Sequence, residues 1–255
     1  MTRKSIAIDI GNTNVVIGLF SGGLLQRTRR HETAGIGGPQ GVYAVLNSVR
    51  SGGAVQEGII SSVVPALTPL FRKALSEGCG IRRPLLVTSR TDTGVQIDID
   101  RPEQLGADRI VNAAYGYHRY GGPLLLIDFG TATTLCNVSG DGRYIGGAIL
   151  PGMRLGAESL VKRAAKLRKI SFEGELPVMG RKTTDSMRIG IVRGHAGAVI
   201  HVAREMLRHM GRKTRVVATG GLAGFMAPHI PFIERVEPDL TLLGLQYILE
   251  RRTAA

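Results

Sequence analysis

Two short apolar runs that end in the same polar signature constrain this chain more than any other feature. Ile6-Ala7-Ile8-Asp9-Ile10-Gly11 and Leu125-Leu126-Ile127-Asp128-Phe129-Gly130 align residue for residue, nearly half of the 255-residue chain apart. In each copy an aspartate closes a strand two residues before a glycine. A second apolar run follows after a tight turn, Asn14–Phe20 in the first copy and Thr133–Val138 in the second. A repeat on this scale sets architecture before local detail does. Strands mixed with helical stretches around each hairpin predict an α/β chain of two similar domains, residues 1–118 and 119–255. The hinge is expected near Tyr117–Gly122, where Gly121-Gly122-Pro123 breaks the preceding helical pattern.

The remaining pattern fills in around the repeat. A third strand is expected at Leu24–His31, a loop at Gly35–Gly41, a helix over Val42–Val49, a buried strand at Gly58–Val63 and a helix over Pro65–Leu75. Pro84–Thr88 reads as a short strand. Later come helices over Leu155–Lys169 and Asp185–Met210, a strand at Arg215–Thr219 and a terminal helix over Asp239–Arg251. Met187, Ile191, Val192, Val199, Ile200, Ala203, Met206 and Leu207 form a broad apolar stripe on the long helix, wider than one core contact needs. That surplus predicts a homodimer.

Composition narrows the function. At 43% hydrophobic and 21% charged residues the chain is ordinary globular material. Thirty-three Lys+Arg against 20 Asp+Glu leave a net charge of +13, which favours anionic partners such as nucleotides, nucleic acid or membrane surfaces. Only 5% aromatics and no tryptophan argue against base-stacking platforms, and no nucleic-acid motif is present. Val216–Ile233 is broken by glycines and prolines, so no membrane span is expected, and the chain reads as cytoplasmic. Cys79 and Cys136 make neither a disulfide framework nor a metal spacing.

The chemistry concentrates at the turns. In Asp9-Ile10-Gly11-Asn12-Thr13-Asn14, Gly11 permits a tight turn whose N–H groups form an anion nest, and Thr13 and Asn14 add short donors. Asp9 is suited to hold Mg²⁺ through water. An Asx-rich hairpin turn without a ligand is the alternative. The second copy, Asp128 to Thr134, favours the phosphate reading, since two such turns facing each other across a cleft would hold a triphosphate. Thr219-Gly220-Gly221 ends a strand in small residues where adenine or ribose could approach closely. No GxxxxGK[ST] loop and no GxGxxG occur, so hydroxyls, N–H groups and metal must meet the phosphate charge. His118, His195, His201 and His209 lie in helical stretches and read as surface or satisfied core residues.

Asp9-Ile10-Gly11-Asn12-Thr13, Gly106-Ala107-Asp108-Arg109-Ile110-Val111-Asn112-Ala113, Asp128-Phe129-Gly130-Thr131-Ala132 and Gly146-Gly147-Ala148-Ile149-Leu150-Pro151-Gly152 together resemble the type III pantothenate kinases. The first turn is shared across the actin, sugar-kinase and heat-shock ATPase superfamily; the second and fourth segments are far more specific. The resemblance implies a duplicated ribonuclease-H-like fold, a homodimer, and ATP-dependent phosphorylation of pantothenate to 4′-phosphopantothenate, the first step towards coenzyme A.

Carried over by residue, Asp9, Ile10, Gly11, Asn12, Thr13, Asn14, Val15 and Val16 form the first phosphate loop, and Thr131 binds ATP phosphates. Gly106, Ala107, Asp108 and Arg109 bind pantothenate with Asp108 as proton acceptor, and Thr183 touches the same substrate. Asp128 binds a monovalent cation, K⁺ or NH₄⁺. Arg109 has the fork geometry to pair with the substrate carboxylate, whereas the bland reading of Asp108-Arg109 is a solvated helix surface. Gly106 marks either close ligand approach or a helix start. The chain departs from the family in having Ile99-Asp100-Arg101-Pro102 where Tyr-Asp-Asn-Pro is common. Rival readings are a nucleic-acid-binding or transcriptional accessory protein on the same fold, and a kinase or phosphohydrolase for another small substrate.

Overall fold

The computed structural model describes residues 3–50, 54–164 and 166–254. They fall into two compact units, Met1–Arg119 with Asp239–Ala255, and Tyr120–Pro238.

The first unit opens with β1 (Lys4–Ile10), β2 (Asn14–Ser21) and β3 (Leu24–Glu32), an antiparallel meander. After α1 (Gly38–Val49) the chain returns as β4 (Glu57–Ser62), parallel to β1, and after α2 (Thr68–Cys79) as β5 (Leu85–Leu86). The sheet order is β3-β2-β1-β4-β5. Ile6, Ile8 and Ile10 alternate into one face of β1 and meet Val15, Ile17, Leu19 and Ile60 there. Val42, Val45, Leu46 and Val49 of α1, at i, i+3, i+4 and i+7, and Phe71, Ala74 and Leu75 of α2 close that core. The helix α1 starts earlier than the Gly35–Gly41 loop allows because Pro39 sits in its first turn, and α2 starts at Thr68 for the same reason, with Pro69 in place. Gly80, at φ 72°, ends α2 in the left-handed conformation that glycine adopts without strain.

The opposite face of β1 carries Ser5, Ala7 and Asp9, and a different helix covers it. After β6 (Gln96–Ile97) and α3 (Ala107–Tyr120), the chain returns to this unit only at its end, as α7 (Leu240–Ala254). The Ser5 hydroxyl donates to Gln246 Oε1 at 2.6 Å, and Thr241 donates to Asn112 Oδ1 at 2.8 Å. His118 and Tyr247 stack at 4.2 Å. The expected assignment of all of 119–255 to the second domain is therefore corrected: the terminal helix lies on the first sheet, where buried apolar and hydrogen-bonding groups await it.

The second unit repeats the topology. Here β7 (Leu124–Phe129), β8 (Ala132–Val138) and β9 (Arg143–Pro151) form the meander, and β10 (Arg215–Thr219) and β11 (Arg235–Val236) continue in parallel. Five strands of this six-stranded sheet, in the order β9-β8-β7-β10-β11, follow the order of the first sheet. Its core joins Leu125, Ile127, Phe129 and Leu135 to Val192, Ala196, Val199 and Ala203 of the 28-residue α5 (Thr183–Met210). The short α6 (Ala223–Met226) follows β10.

Between β9 and α5 lies α4 (Met153–Arg163), which stops well before Lys169. Continuation would set Lys162 against Lys166, a like-charge pair at i, i+4; Ala165, within the expected helix, lies outside the described residues. No helix among the described residues is long and apolar enough to cross a membrane.

Gly244 lies where α7 crosses α3. A methyl there would come within 2.6 Å of Val111 Cγ1 and of the Val111 carbonyl oxygen. Helix propensity alone predicts that Gly244→Ala stabilises by about 1 kcal/mol. The close approach predicts a loss of about 1–3 kcal/mol instead. Thermal unfolding reads the sign, and a gain would mean that α7 does not pack against α3.

Candidate functional site

Each unit gathers its chemistry at the carboxyl ends of its central strands. In the first, β1 and β2 separate after the Ile10–Val15 pair, and the Gly11 N–H closes the turn on the Asn14 carbonyl at 2.9 Å. Thr33 anchors the loop from β3, its hydroxyl donating to the Gly11 carbonyl at 2.7 Å and its N–H to Thr13 at 2.9 Å. Asn12 and Thr13 are left exposed, Gly11 and Asn14 half-buried, Ile10 and Val15 in the core. Asp9 pairs in register with Val16 on one side and Ser61 on the other, which puts its carboxylate at the strand end.

The Gly106–Arg109 segment joins the same strand ends. The Val63 N–H, just past β4, donates to the Ile10 carbonyl at 3.0 Å, and Val63 Cγ1 packs beside Gly106. Gly106 precedes α3 and its carbonyl accepts the N–H groups of Arg109 and Ile110 at 3.1 and 3.2 Å, so it is a helix start. It also makes room: a Cβ there would sit 2.5 Å from Asp108 Oδ1. Asp108 Oδ1 accepts the Arg109 N–H at 2.8 Å. Burial pushes the Asp108 carboxyl above its ordinary value, and the Arg109 N–H and guanidinium oppose that only partly. Asp108-Arg109 is therefore not a freely solvated helix surface. Arg101-Pro102 opens a single 3-10 turn ahead of it.

In the second unit Asp128 pairs with Thr134 and Thr219, as Asp9 does with Val16 and Ser61. The Gly130 N–H closes the turn on Ala132 at 3.1 Å, leaving Thr131 exposed. Gly220, at φ +92°, folds the end of β10 over this turn so closely that a Cβ would strike the Asp128 carboxylate. The Leu222 N–H then reaches the Phe129 carbonyl at 3.2 Å. Gly152 closes the other side, its N–H donating to Thr131 at 3.1 Å with no room for a side chain. Asp128, Thr131, Gly220 and Gly221 thus share one place. Thr183, expected on the acceptor and not at this turn, opens α5 and is exposed.

Three participants were not singled out as site residues in the sequence. Gly152 was signalled by the Gly-Gly-x-Ile-x-Pro-Gly segment, which forms β9 and its exit. Val63 carries no motif of its own. Thr133 lies buried beneath the second turn, bonded to His195 Nε2 at 2.9 Å.

A family model described as type III pantothenate kinase matches residues 5–205. The type III pantothenate kinase of Thermomicrobium roseum is 41% identical over 251 residues, covering 96% of both chains. Among solved structures, a conserved Baf family protein from Campylobacter jejuni superposes with a TM-score of 0.61 at 17% identity, over 98% of this chain and 100% of that one. The activator of 2-hydroxyisocaproyl-CoA dehydratase from Clostridium difficile, solved with bound ADPNP, gives 0.58 at 13%, over 100% and 98%. Those structural likenesses are of fold, the duplicated ribonuclease-H-like architecture.

The Asp108 environment has a consequence for stability independent of any relative. With its folded pKa raised, the carboxylate form costs stability above that pKa, and the cost disappears as pH falls through it. Asp108→Asn is expected to be at least as stable as the parent at pH 7, with the difference closing as pH drops into the carboxylate range. Chemical denaturation across pH measures this; a variant clearly less stable at neutral pH overturns it.

Proposed function

The chain belongs to the type III pantothenate kinase family, and from that membership we infer that it transfers the γ-phosphoryl group of ATP to pantothenate, giving 4′-phosphopantothenate on the way to coenzyme A. The observation that carries the reading is the Asp108 carboxylate, lodged over Gly106 at the start of α3 and next to the end of β4. In the step itself the substrate hydroxyl oxygen bonds to the γ-phosphorus as the β–γ bridging bond breaks, and ADP departs. Asp108 takes the hydroxyl proton, which becomes acidic once its oxygen binds phosphorus. Alignment, worth about 7–11 kcal/mol, matters more here than basicity. Arg109 presents its fork to the pantothenate carboxylate.

Asp9 to Val16 and Thr131 hold the ATP phosphates, and Gly220 and Gly221 border the nucleoside. ATP comes with a divalent ion, which we assign as Mg²⁺ held at Asp9 through water. Among the described residues no group of three His, Cys, Asp or Glu could cage a metal, which suits an ion that takes most of its ligands from water and phosphate. When bound it shields phosphate charge. Asp128 would otherwise repel the triphosphate, and a monovalent cation there removes the repulsion.

A homodimer completes the proposal, with part of the α5 stripe expected at its interface. Met187 and Val192 are buried, while Ile191, Ile200, Met206 and Leu207 are only partly buried against this unit's core. Further apolar surface lies elsewhere: Val178 and Met179 are 77% and 81% exposed and Ile149 63%. Such surface favours a second copy.

ADP release with ATP, Mg²⁺ and a panel of small alcohols tests the activity. Turnover is expected with pantothenate and stimulation by K⁺ or NH₄⁺ over matched Na⁺, lost in Asp128→Ala. Asp108→Asn should lose at least about 100-fold in kcat, and Arg109→Lys should raise KM for the acceptor. A folded Asp108→Asn enzyme with near-parental turnover refutes the assignment. Sedimentation at micromolar concentration should give twice the 27.3 kDa chain mass; a monomer counts against the dimer.

A further inference from the structure

The last ladder pair before the second turn is Phe129 with Thr133. Both side chains point into the core beneath the turn, away from the face that carries Asp128 and Thr134. A threonine buried there needs a partner for its hydroxyl. It finds one across the core, where His195 of α5 places Nε2 2.9 Å from Thr133 Oγ1 and sets its ring edge-on to Phe129 at 6.3 Å. His195 shares its helix face with Val192, Ala196 and Val199, all buried. An aliphatic residue would fill this position without desolvating an imidazole, and burial indeed lowers the His195 pKa, which favours the neutral ring. The polar pair thus carries a desolvation cost that an apolar pair would not.

We propose that His195 is a positioning residue for the nucleotide, clamping the β7–β8 phosphate turn to α5 through Thr133. Past the Phe129–Thr133 pair, backbone contacts to the turn include Gly130 N–H to Ala132 at 3.1 Å, Gly152 N–H to Thr131 at 3.1 Å and the pairing of Ala132 with Pro151 of β9. Thr131 is two residues from Thr133, so a sub-ångström shift of the ladder end moves the Thr131 hydroxyl and N–H relative to a phosphate oxygen. Apolar contacts tolerate such a shift. A hydrogen bond at 2.9 Å does not, because its strength falls off steeply with distance and angle. The pair therefore sets the turn's position, where packing alone would set only its approximate depth.

The proposal rests on the reading of Asp128–Thr131 as an ATP-phosphate turn, and the experiment separates the two. Thr133→Val and His195→Phe each remove the hydrogen bond while keeping shape; His195→Gln keeps a polar atom near Nε2. Steady-state kinetics on the intact enzyme should show KM for ATP raised about 5- to 10-fold in either single variant. KM for pantothenate should stay within about twofold, and the double variant should be no worse than the worse single one, as expected for one shared interaction. His195→Gln should regain most of the loss. A purely structural pair would lower the melting temperature with ATP KM unchanged, and that result, or additive losses, overturns the proposal. Thr133→Val and Thr133→Ser carry the test alone if His195→Phe does not fold. Thr131→Ala is the control for the underlying reading: raised ATP KM there with parental clamp variants sinks the clamp alone, while unchanged ATP KM in Thr131→Ala sinks both.

Discussion

A carboxylate at the end of a central strand must be kept near the sheet without being buried in it, and the parallel pairing beside it does this twice. Asp9 stands next to Ser61 on β4, and Asp128 next to Thr219 on β10. In both cases the neighbouring strand contributes a small hydroxyl residue, buried in its own right, where a larger apolar side chain would crowd the acid. The register also fixes which face the aspartate occupies. One slip would send Asp9 into the face now held by Ile6, Ile8 and Ile10, at a desolvation cost of several kcal/mol.

From equivalent strand ends the two units diverge. After β4 the chain runs on through Val63, whose N–H continues the ladder to Ile10, and the space above is taken by Gly106 and the start of α3. After β10 the chain reverses at Gly220 and folds directly over Asp128. The first arrangement brings a second carboxylate, Asp108, to the strand ends. The second substitutes backbone N–H groups and glycines, which leave no side chain between the acid and a ligand. One topology thus gives a half-buried carboxylate at a helix start in one copy and a glycine-lined turn over the acid in the other, the positions proposed for the proton acceptor and for phosphate and cation.

The repeat made much of this legible. Asp-x-Gly at two strand ends places both turns, and the alternation of Ile6, Ile8 and Ile10 places the core face. What the sequence hides is long-range. Nothing local in Leu240–Ala254 says that it covers the first sheet; the cue is Ser5, a polar residue in a buried strand that needs Gln246. Gly106 reads equally as a cap or as a place for a ligand, and the structure shows it to be a cap that also clears space for the Asp108 carboxyl. The apolar stripe of α5 serves this unit's own core at Val192, Ala196, Val199 and Ala203, and periodicity alone cannot apportion the partly buried Ile191, Ile200, Met206 and Leu207 between that core and a second copy. Thr183 enters by resemblance alone, since no local pattern at the start of α5 marks it as a contact for the acceptor.

The electrostatics at Asp108 follow from the same economy of space. A carboxylate withdrawn from water and facing the start of a helix is pulled two ways: burial raises its pKa, and the Arg109 N–H lowers it. Burial wins, so the group holds a proton more firmly than a free aspartate does. For the proposed proton acceptor, which takes its proton only after the alcohol oxygen has begun to bond to phosphorus, that is the useful direction. In the proposed role, a raised pKa gives the group more affinity for the proton during transfer than a free aspartate has. The glycine before it makes this possible, since any side chain at position 106 would displace the carboxyl from the place where burial acts on it.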